Sequence, residues 1–185
     1  MESTREESQF TTPSDREAVL TRVLDAPREQ VFRTLLDSGL IHEWWGPRRL
    51  SVRVDRMEVR VGREWRFVLR DAAGKVFAFR GVFQEISPPE RVAYSLEYED
   101  LPGHSVLVTA ELDDLGGKTR VRFAGLFGAQ GDRDAALAQG VGDGALEAAD
   151  RFAEVLNRCA ARPPAQRDAA KAADEAGAGR DPRPS

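Results

Sequence analysis

Few side chains in this sequence have the type and spacing needed for catalysis. The two histidines could serve as general bases, and His42 directly precedes Glu43. However, His42 falls in a short predicted helix beside tryptophans, and His104 follows a Pro-Gly turn that we expect to be exposed. Neither has further ligands at the spacing of a metal site. We therefore predict no catalytic histidine and no bound metal ion.

Glu85 is the remaining candidate for acid–base chemistry. Strand alternation places it on the same face as Phe79 and Phe83, where burial beside a cavity would raise the pKa of its carboxyl group. The alternative, which we favour, is that this end of the strand is already in contact with water. Motifs for zinc proteases, serine hydrolases, nucleotide binding and Cys-x-x-Cys redox chemistry are absent. No cofactor and no catalytic residue are predicted.

Apolar and aromatic side chains form a stronger candidate site, for binding a ligand. The pair Trp44 and Trp45 could line a cavity mouth or anchor a short helix in the core, and we favour the core. The full set of candidate ligand-binding residues is Trp44, Trp45, Trp65, Phe67, Phe79, Phe83, Tyr94, Leu96, Phe123, Val141 and Ala145. Ligand pockets are mostly apolar, so the members of this set that lie on predicted strands suit a pocket wall and ordinary core packing equally well.

The elements that would position these residues follow from hydrophobic periodicity. Branched residues at 17–24 predict a strand, and the spacing from Pro27 to Gly39 predicts a helix, followed by a short second helix at 40–45. Alternating apolar residues then predict strands as far as Phe123, with a β-bulge near Asp55. Two of these strands are separated by a turn at 87–91, because Pro88-Pro89 cannot continue a central strand.

A helical pattern begins near Asp132 and continues to the end of the predicted domain. Three glycines, Gly140, Gly142 and Gly144, weaken its first half, because each costs up to about 1 kcal/mol relative to alanine. Close packing against the sheet or room for a ligand would explain them. The whole order predicts an α+β domain with a curved antiparallel sheet of about six to seven strands, two short helices and a long C-terminal helix.

Composition sets the limits of this domain and excludes some function classes. We predict a domain at residues 16–160, between disordered tails at 1–15 and 161–185 that have too few apolar residues to form a core. The net charge of -4 and the pI of about 5.4 argue against nucleic acid as a partner. No membrane span or signal peptide is recognisable. The single cysteine, Cys159, cannot form an internal disulfide, and we expect a cytoplasmic location.

Five segments of the chain resemble, in order and spacing, the helix-grip superfamily (SRPBCC, Bet v 1/START-like) of birch-pollen allergen, START lipid-transfer domains and polyketide cyclases. The resemblance is greatest to a bacterial branch related to the activator of Hsp90 ATPase. The segments span residues 26–32, 43–47, 61–67, 81–92 and 117–121. Two positions depart from the family pattern. Gly62-Arg63 replaces the usual Gly-Gly, and Gly144-Ala145 replaces a frequent Gly-Trp, which predicts open volume beneath the sheet.

The resemblance implies a function as well as a fold. It implies non-enzymatic binding of a hydrophobic or amphipathic small molecule in an internal cavity, in a protein linked to chaperone activity or stress response. A chaperone or another protein is then a second expected partner. The alternative is an enzyme of the polyketide cyclase, dehydratase or hydrolase type that uses the same cavity. The number of polar groups on the cavity wall distinguishes these readings.

Overall fold

A computed structural model describes residues 8–161 of the 185-residue chain. The strands in this range are β1 (Gln9–Thr11), β2 (Glu17–Leu24), β3 (Ser51–Met57), β4 (Glu64–Arg70), β5 (Val76–Ser87), β6 (Arg91–Tyr98), β7 (Val106–Asp114) and β8 (Thr119–Leu126). The helices are α1 (Arg28–Leu35), α2 (Ile41–Trp44), α3 (Gln130–Ala138) and α4 (Val141–Ala161). Of the predicted tails at 1–15 and 161–185, residues 1–7 and 162–185 lie outside the described residues.

All eight strands belong to one antiparallel sheet with the order β1-β2-β8-β7-β6-β5-β4-β3. The predicted α+β helix-grip architecture is confirmed, with one strand more than the upper expected number. The extra strand is β1, which pairs Phe10 with Leu20 of β2. It falls inside the segment 1–15 that was predicted to be a disordered tail, because backbone pairing requires no apolar pattern in the three residues that pair.

Two β-bulges change the direction of side chains along the sheet. The predicted bulge near Asp55 is present as a register shift between Val54 and Arg56. A second shift, between Phe83 and Glu85, was not predicted. Because a bulge inserts an extra residue and inverts the alternation beyond it, the next residue that packs on the core is Ile86. The expectation from strand phase that Glu85 shares the face of Phe83 is therefore wrong.

Gly81 occupies a position on β5 that requires glycine. A Cβ atom at this residue would lie 1.7 Å from the carbonyl oxygen of Ser95 on β6 and 2.6 Å from Nε1 of Trp65 on β4. Beside it, the Ser95 hydroxyl accepts a hydrogen bond from the backbone N–H of Val82 at 2.9 Å. The Ser95 carbonyl and the Trp65 indole thus approach the Gly81 backbone so closely that no side chain fits there.

The C-terminal helical region is divided into two helices, whereas the sequence predicts one. Gly140 has a φ of +83°, a left-handed conformation that ends α3 and begins α4. The Gly142 position is tightly packed, since a Cβ there would lie 3.3 Å from the Phe10 ring, whereas Gly144 has open space around its Cα. A Cβ atom would therefore have open space at Gly140 and Gly144 but a close neighbour at Gly142.

The core lies between the inner face of the sheet and the helices α1, α2 and α4. Its fully buried members include Val31 of α1, Trp65 of β4, Val92 of β6, Val121 of β8 and Val155 of α4. Burying side chains of this size stabilises the fold by about 1.5–3 kcal/mol each. The core thus links every layer of the molecule, and the candidate site lies at the end where α1 and α2 cover the sheet.

Candidate functional site

A small apolar cavity lies between α1, α2 and the inner faces of strands β3 to β6. Its volume is about 30 Å³, which is about the volume that one water molecule occupies in the liquid. Sites for ordinary small-molecule ligands measure about 300–1,000 Å³. The residues that line the cavity are Leu35, Leu36, Ile41, Trp44, Trp45, Met57, Trp65, Phe67, Phe83 and Tyr94. A ligand larger than water therefore requires these side chains to move apart.

Edge-to-face aromatic contacts hold the walls of the cavity together. Trp45, at the end of α2, contacts Phe67 at a ring separation of 5.2 Å and Phe79 at 5.3 Å. Trp44 instead contacts Phe152 of α4 at 4.9 Å. Such aromatic pairs contribute about 0.5–1.5 kcal/mol beyond the area they bury. The two adjacent tryptophans thus attach α2 in two directions, one to the sheet and one to α4.

Six of the eleven candidate binding residues line this cavity, and five do not. Those on the wall are Trp44, Trp45, Trp65, Phe67, Phe83 and Tyr94. Phe79 packs behind Trp45 against Tyr98, while Leu96 and Phe123 pack on the core away from the cavity. Val141 is 50% exposed, because the break at Gly140 makes it the first residue of α4. Ala145 is half-buried and does not line the cavity.

Four lining residues were not among the sequence candidates: Leu35, Leu36, Ile41 and Met57. Leu35 and Leu36 are on the apolar face that the helical spacing predicts for α1. That periodicity was the available signal, because an apolar helix face must cover part of the sheet. Ile41 and Met57 gave no such signal, since their positions depend on how α2 and β3 meet.

Four polar groups belong to the side chains that line this cavity, the indole N–H groups of three tryptophans and the hydroxyl of Tyr94. Within residues 8–161, Nε1 of Trp44 and Nε1 of Trp65 are buried without an acceptor, and their side chains belong to residues only 8% and 2% exposed. The Tyr94 hydroxyl also makes no hydrogen bond there, and burial raises the pKa of Tyr94 to about 12. A buried, unpaired polar group costs about 1–3 kcal/mol. The cavity therefore combines an apolar wall with unsatisfied donors.

The side chains considered for catalysis lie away from the cavity. His42 is exposed on α2, and Nδ1 of His104 lies 2.8 Å from Asp132 on the surface. Glu85 is half-exposed and accepts a hydrogen bond from Arg91 at 3.0 Å. Among residues 8–161, no three histidine, cysteine, aspartate or glutamate side chains lie close enough together to hold a metal ion. The structure thus brings none of these groups to the candidate site.

Polar contacts hold α2 against α4 at the outer edge of the site. Arg151 donates from Nη1 to the carbonyl oxygen of Gly46 at 2.7 Å and from Nη2 to that of His42 at 3.4 Å. Partial burial lowers the pKa of Arg151 from its usual value. Arg158 forms an ion pair with Glu43. The helix that carries both tryptophans is therefore held by aromatic contacts on its inside and by charged groups on its outside.

A larger, polar groove of about 970 Å³ lies between β2 and α4. Charged side chains of both signs line it, and they neutralise one another. Arg22 forms an ion pair with Asp150, Arg48 with Glu154, and Lys118 with Asp25. Because these charges already have partners, the groove presents no net charge that would select a charged ligand.

Solved structures with the same fold come from several bacteria. A Rhodobacter sphaeroides protein is 24% identical, with a TM-score of 0.76, and the match covers 82% of this chain and 99% of that chain. The AHSA1 protein of Silicibacter pomeroyi is 21% identical, with a TM-score of 0.63 and coverages of 76% and 97%. DynU16, from the dynemicin biosynthetic locus, is 18% identical, with a TM-score of 0.61 and coverages of 78% and 48%. At these identities the likeness extends to the fold alone.

Comparison of the sequence with models of protein families identifies the family of this chain. No curated protein matches the chain, and within residues 8–161 no helix has both the length and the apolar composition needed to cross a membrane. The model of the family described as activator of Hsp90 ATPase homolog 1-like protein matches residues 25–157, which is well over half of the chain. The predicted resemblance is thereby confirmed, and the chain belongs to the family of activator of Hsp90 ATPase homolog 1-like proteins.

Proposed function

We propose that this protein binds an apolar or amphipathic small molecule in the cavity beneath α2, after the cavity has widened. The observation that carries the proposal is the cavity wall, where aromatic side chains from α2, β4, β5 and β6 converge on one space. Such walls are typical of ligand sites, which are largely apolar and contain a few polar groups that fix orientation. The proposal requires no catalytic step.

Movement of α2 is the simplest way to widen the cavity. This helix has only four residues, and its Trp44 and Trp45 form one wall of the site. Its outer contacts with α4 include the exposed ion pair between Arg158 and Glu43. Exposed ion pairs contribute only about 0–1 kcal/mol, so this pair resists the movement of α2 only weakly. The energy for displacing the aromatic contacts would come from burying an apolar ligand in their place.

An enzymatic role has less support at this site. Tyr94 is the only titratable side chain among the residues that line the cavity, and burial raises its pKa to about 12. Acid–base catalysis near neutral pH works best with groups whose pKa lies near that pH. A chaperone partner and a cytoplasmic location stay predictions from the family and the sequence. Binding without catalysis is the function that this wall supports best.

Titration with the neutral dye N-phenyl-1-naphthylamine tests the proposal. The dye is expected to show saturable fluorescence enhancement with a dissociation constant in the micromolar range. Phe67→Leu should change that constant at least about threefold, because Phe67 lines the cavity. Phe123→Leu is the matched control, since Phe123 is a half-buried aromatic residue on the sheet outside the cavity. Absence of saturable binding, or equal effects of both variants, would contradict the proposal.

A further inference from the structure

The two tyrosines of the chain lie on the same strand but in opposite hydrogen-bonding situations. Tyr94 and Tyr98 are both on β6, four residues apart, and pair across the sheet with Phe83 and Phe79 of β5. The Tyr98 hydroxyl donates a hydrogen bond to Asp100 at 2.7 Å. The Tyr94 hydroxyl has no such partner within residues 8–161. This difference separates an ordinary sheet tyrosine from one that lines the cavity.

The surroundings of Tyr94 are apolar on the sides where its ring contacts other residues. Its ring is perpendicular to that of Trp65 at a separation of 5.8 Å and contacts Phe83 at 6.2 Å. Phenylalanine would make the same apolar contacts at this position, so the hydroxyl is what the tyrosine adds to the site. Because no protein group within residues 8–161 bonds this hydroxyl, it is available to a molecule in the cavity.

The chemistry of the site narrows the kind of partner. The polar side-chain groups of the lining residues are indole N–H groups and a phenol, and burial keeps the phenol protonated at neutral pH because its pKa is about 12. All of them can therefore donate a hydrogen bond, and the indoles cannot accept one through nitrogen. No cationic side chain lines the cavity, so the site offers no charge to stabilise an anion. A neutral molecule with an acceptor oxygen fits these groups.

We infer that the ligand is a neutral, mainly apolar molecule with a carbonyl or ether oxygen, and that the Tyr94 hydroxyl donates a hydrogen bond to this oxygen. The unpaired indole N–H of Trp44 also belongs to a residue that lines the cavity and is a second donor. This inference rests on the proposed binding function and adds the chemical class of the ligand. Tyr94 is then the residue that determines specificity.

A pair of ligands with nearly the same shape tests the inference: 2-acetylnaphthalene, which has a ketone oxygen, and 2-ethylnaphthalene, which has none. Each is titrated by calorimetry into the wild-type protein and into Tyr94→Phe and Tyr98→Phe variants. Tyr94→Phe should weaken binding of the ketone by at least about fivefold, because a neutral hydrogen bond is lost. Binding of the hydrocarbon should change by less than about twofold. Tyr98→Phe should leave both affinities unchanged, because its hydroxyl bonds Asp100 instead.

A spectroscopic readout distinguishes a hydrogen bond from a change in packing. The infrared C=O stretch of bound 2-acetylnaphthalene should move to higher frequency in Tyr94→Phe than in the wild-type protein and stay in place in Tyr98→Phe. If Tyr94→Phe weakens both ligands equally, or leaves the C=O stretch unchanged, the inference is wrong while the binding function stands. If neither ligand binds the wild-type protein, the proposed function itself is contradicted, and the inference fails with it.

Discussion

The two spaces beside the helices of this protein differ in size and in chemistry, and the smaller one is the better candidate site. The groove between β2 and α4 measures about 970 Å³, but its charged side chains already pair with one another. The cavity beneath α2 measures about 30 Å³ and is lined by residues with unpaired donors. Unsatisfied hydrogen-bonding capacity is a stronger indication of a ligand than volume, because native proteins seldom leave buried polar groups without partners.

The same contrast holds across the sheet. On the inner face, aromatic rings of β4, β5 and β6 pack against one another. On the outer face, Arg66 forms a two-point contact with Glu99, with Nε and Nη2 at 2.7 and 2.8 Å from the two carboxylate oxygens. Arg80 similarly contacts Glu97. We expect the inner face to determine stability and binding, and the outer face to contribute little to either. The predictions below test this difference.

The largest effect is expected on the inner face, at Trp65. This residue is 2% exposed and contacts the rings of Trp45, Phe67 and Tyr94. Trp65→Ala should lower the free energy of unfolding by about 3–5 kcal/mol, because it removes a large buried side chain and leaves a cavity. Urea denaturation of the variant and the wild-type protein measures this. A loss below about 1 kcal/mol would mean that the inner face is no more important than an exposed ion pair.

A methyl group added at Gly81 should also be strongly destabilising. Its Cβ atom would overlap the carbonyl oxygen of Ser95, so Gly81→Ala should lower the free energy of unfolding by about 3 kcal/mol. Gly125→Ala is the matched control, since it is also in a strand but its Cβ atom would meet its nearest neighbour at 3.4 Å. Thermal and urea denaturation should separate the two variants. Equal effects would show that the close approach at Gly81 is not important for packing.

The buried phenol of Tyr94 should make stability depend on pH in the alkaline range. Its pKa rises from 10.0 to about 12 on folding because burial disfavours the phenolate. Below pH 10 the phenol is protonated in both the folded and the unfolded protein, so its ionisation does not reduce the stability. As the pH rises from 10 to 12, the unfolded state loses its proton first, so stability should fall by about 2–3 kcal/mol. Tyr94→Phe should show a smaller decrease over this range.

Absorbance of the phenolate provides a direct measurement, because the chain has only two tyrosines. In Tyr98→Phe, Tyr94 alone contributes to the titration, and it should ionise near pH 12. In Tyr94→Phe, the remaining Tyr98 reports on a tyrosine whose pKa is raised mainly by its hydrogen bond to Asp100. If Tyr94 titrates near pH 10, its hydroxyl is in contact with water, and the inner face of the sheet is then not shielded from water at this position.

The smallest effect is expected on the outer face, at the pair of Arg66 and Glu99. A double-mutant cycle with Arg66→Ala and Glu99→Ala should give a coupling energy below about 1 kcal/mol, because both side chains are partly exposed. The coupling should decrease further when the ionic strength is raised. A coupling energy as large as the decrease in unfolding free energy expected for Trp65→Ala would contradict the proposed ranking of the two faces.

Much of the architecture was predictable because each element carries its own periodicity. The strand after the turn at 87–91, the bulge near Asp55 and the helical spacing of the C-terminal region all depend on residues that are close in sequence. The misplacement of Glu85 had a different origin. The bulge at Phe83 depends on how β5 pairs with β6, and nothing in the local pattern of β5 indicates it.

The candidate site was predictable only in part. The apolar character of its wall follows from residue types, which is why six of the eleven candidates lie on the cavity. Val141 was chosen from a continuous helical pattern and Ala145 because it replaces a tryptophan frequent in the family, but the break at Gly140 and the packing of α4 place both elsewhere. Met57 is on the wall because β3 and α2 meet in the fold, a tertiary contact that the local sequence pattern does not indicate.

The sequence by itself determined the order of most strands and helices and the apolar nature of the inner face, because these follow from periodicity, turn residues and residue type. Its resemblance to a known family indicated the helix-grip architecture. Only the tertiary structure decided which side chains meet at the cavity, how small that cavity is, and which donors lack partners. Those properties depend on distances between residues far apart in sequence. The difference between Tyr94 and Tyr98 illustrates this, since identical side chains on one strand acquire different roles from the neighbours that folding gives them.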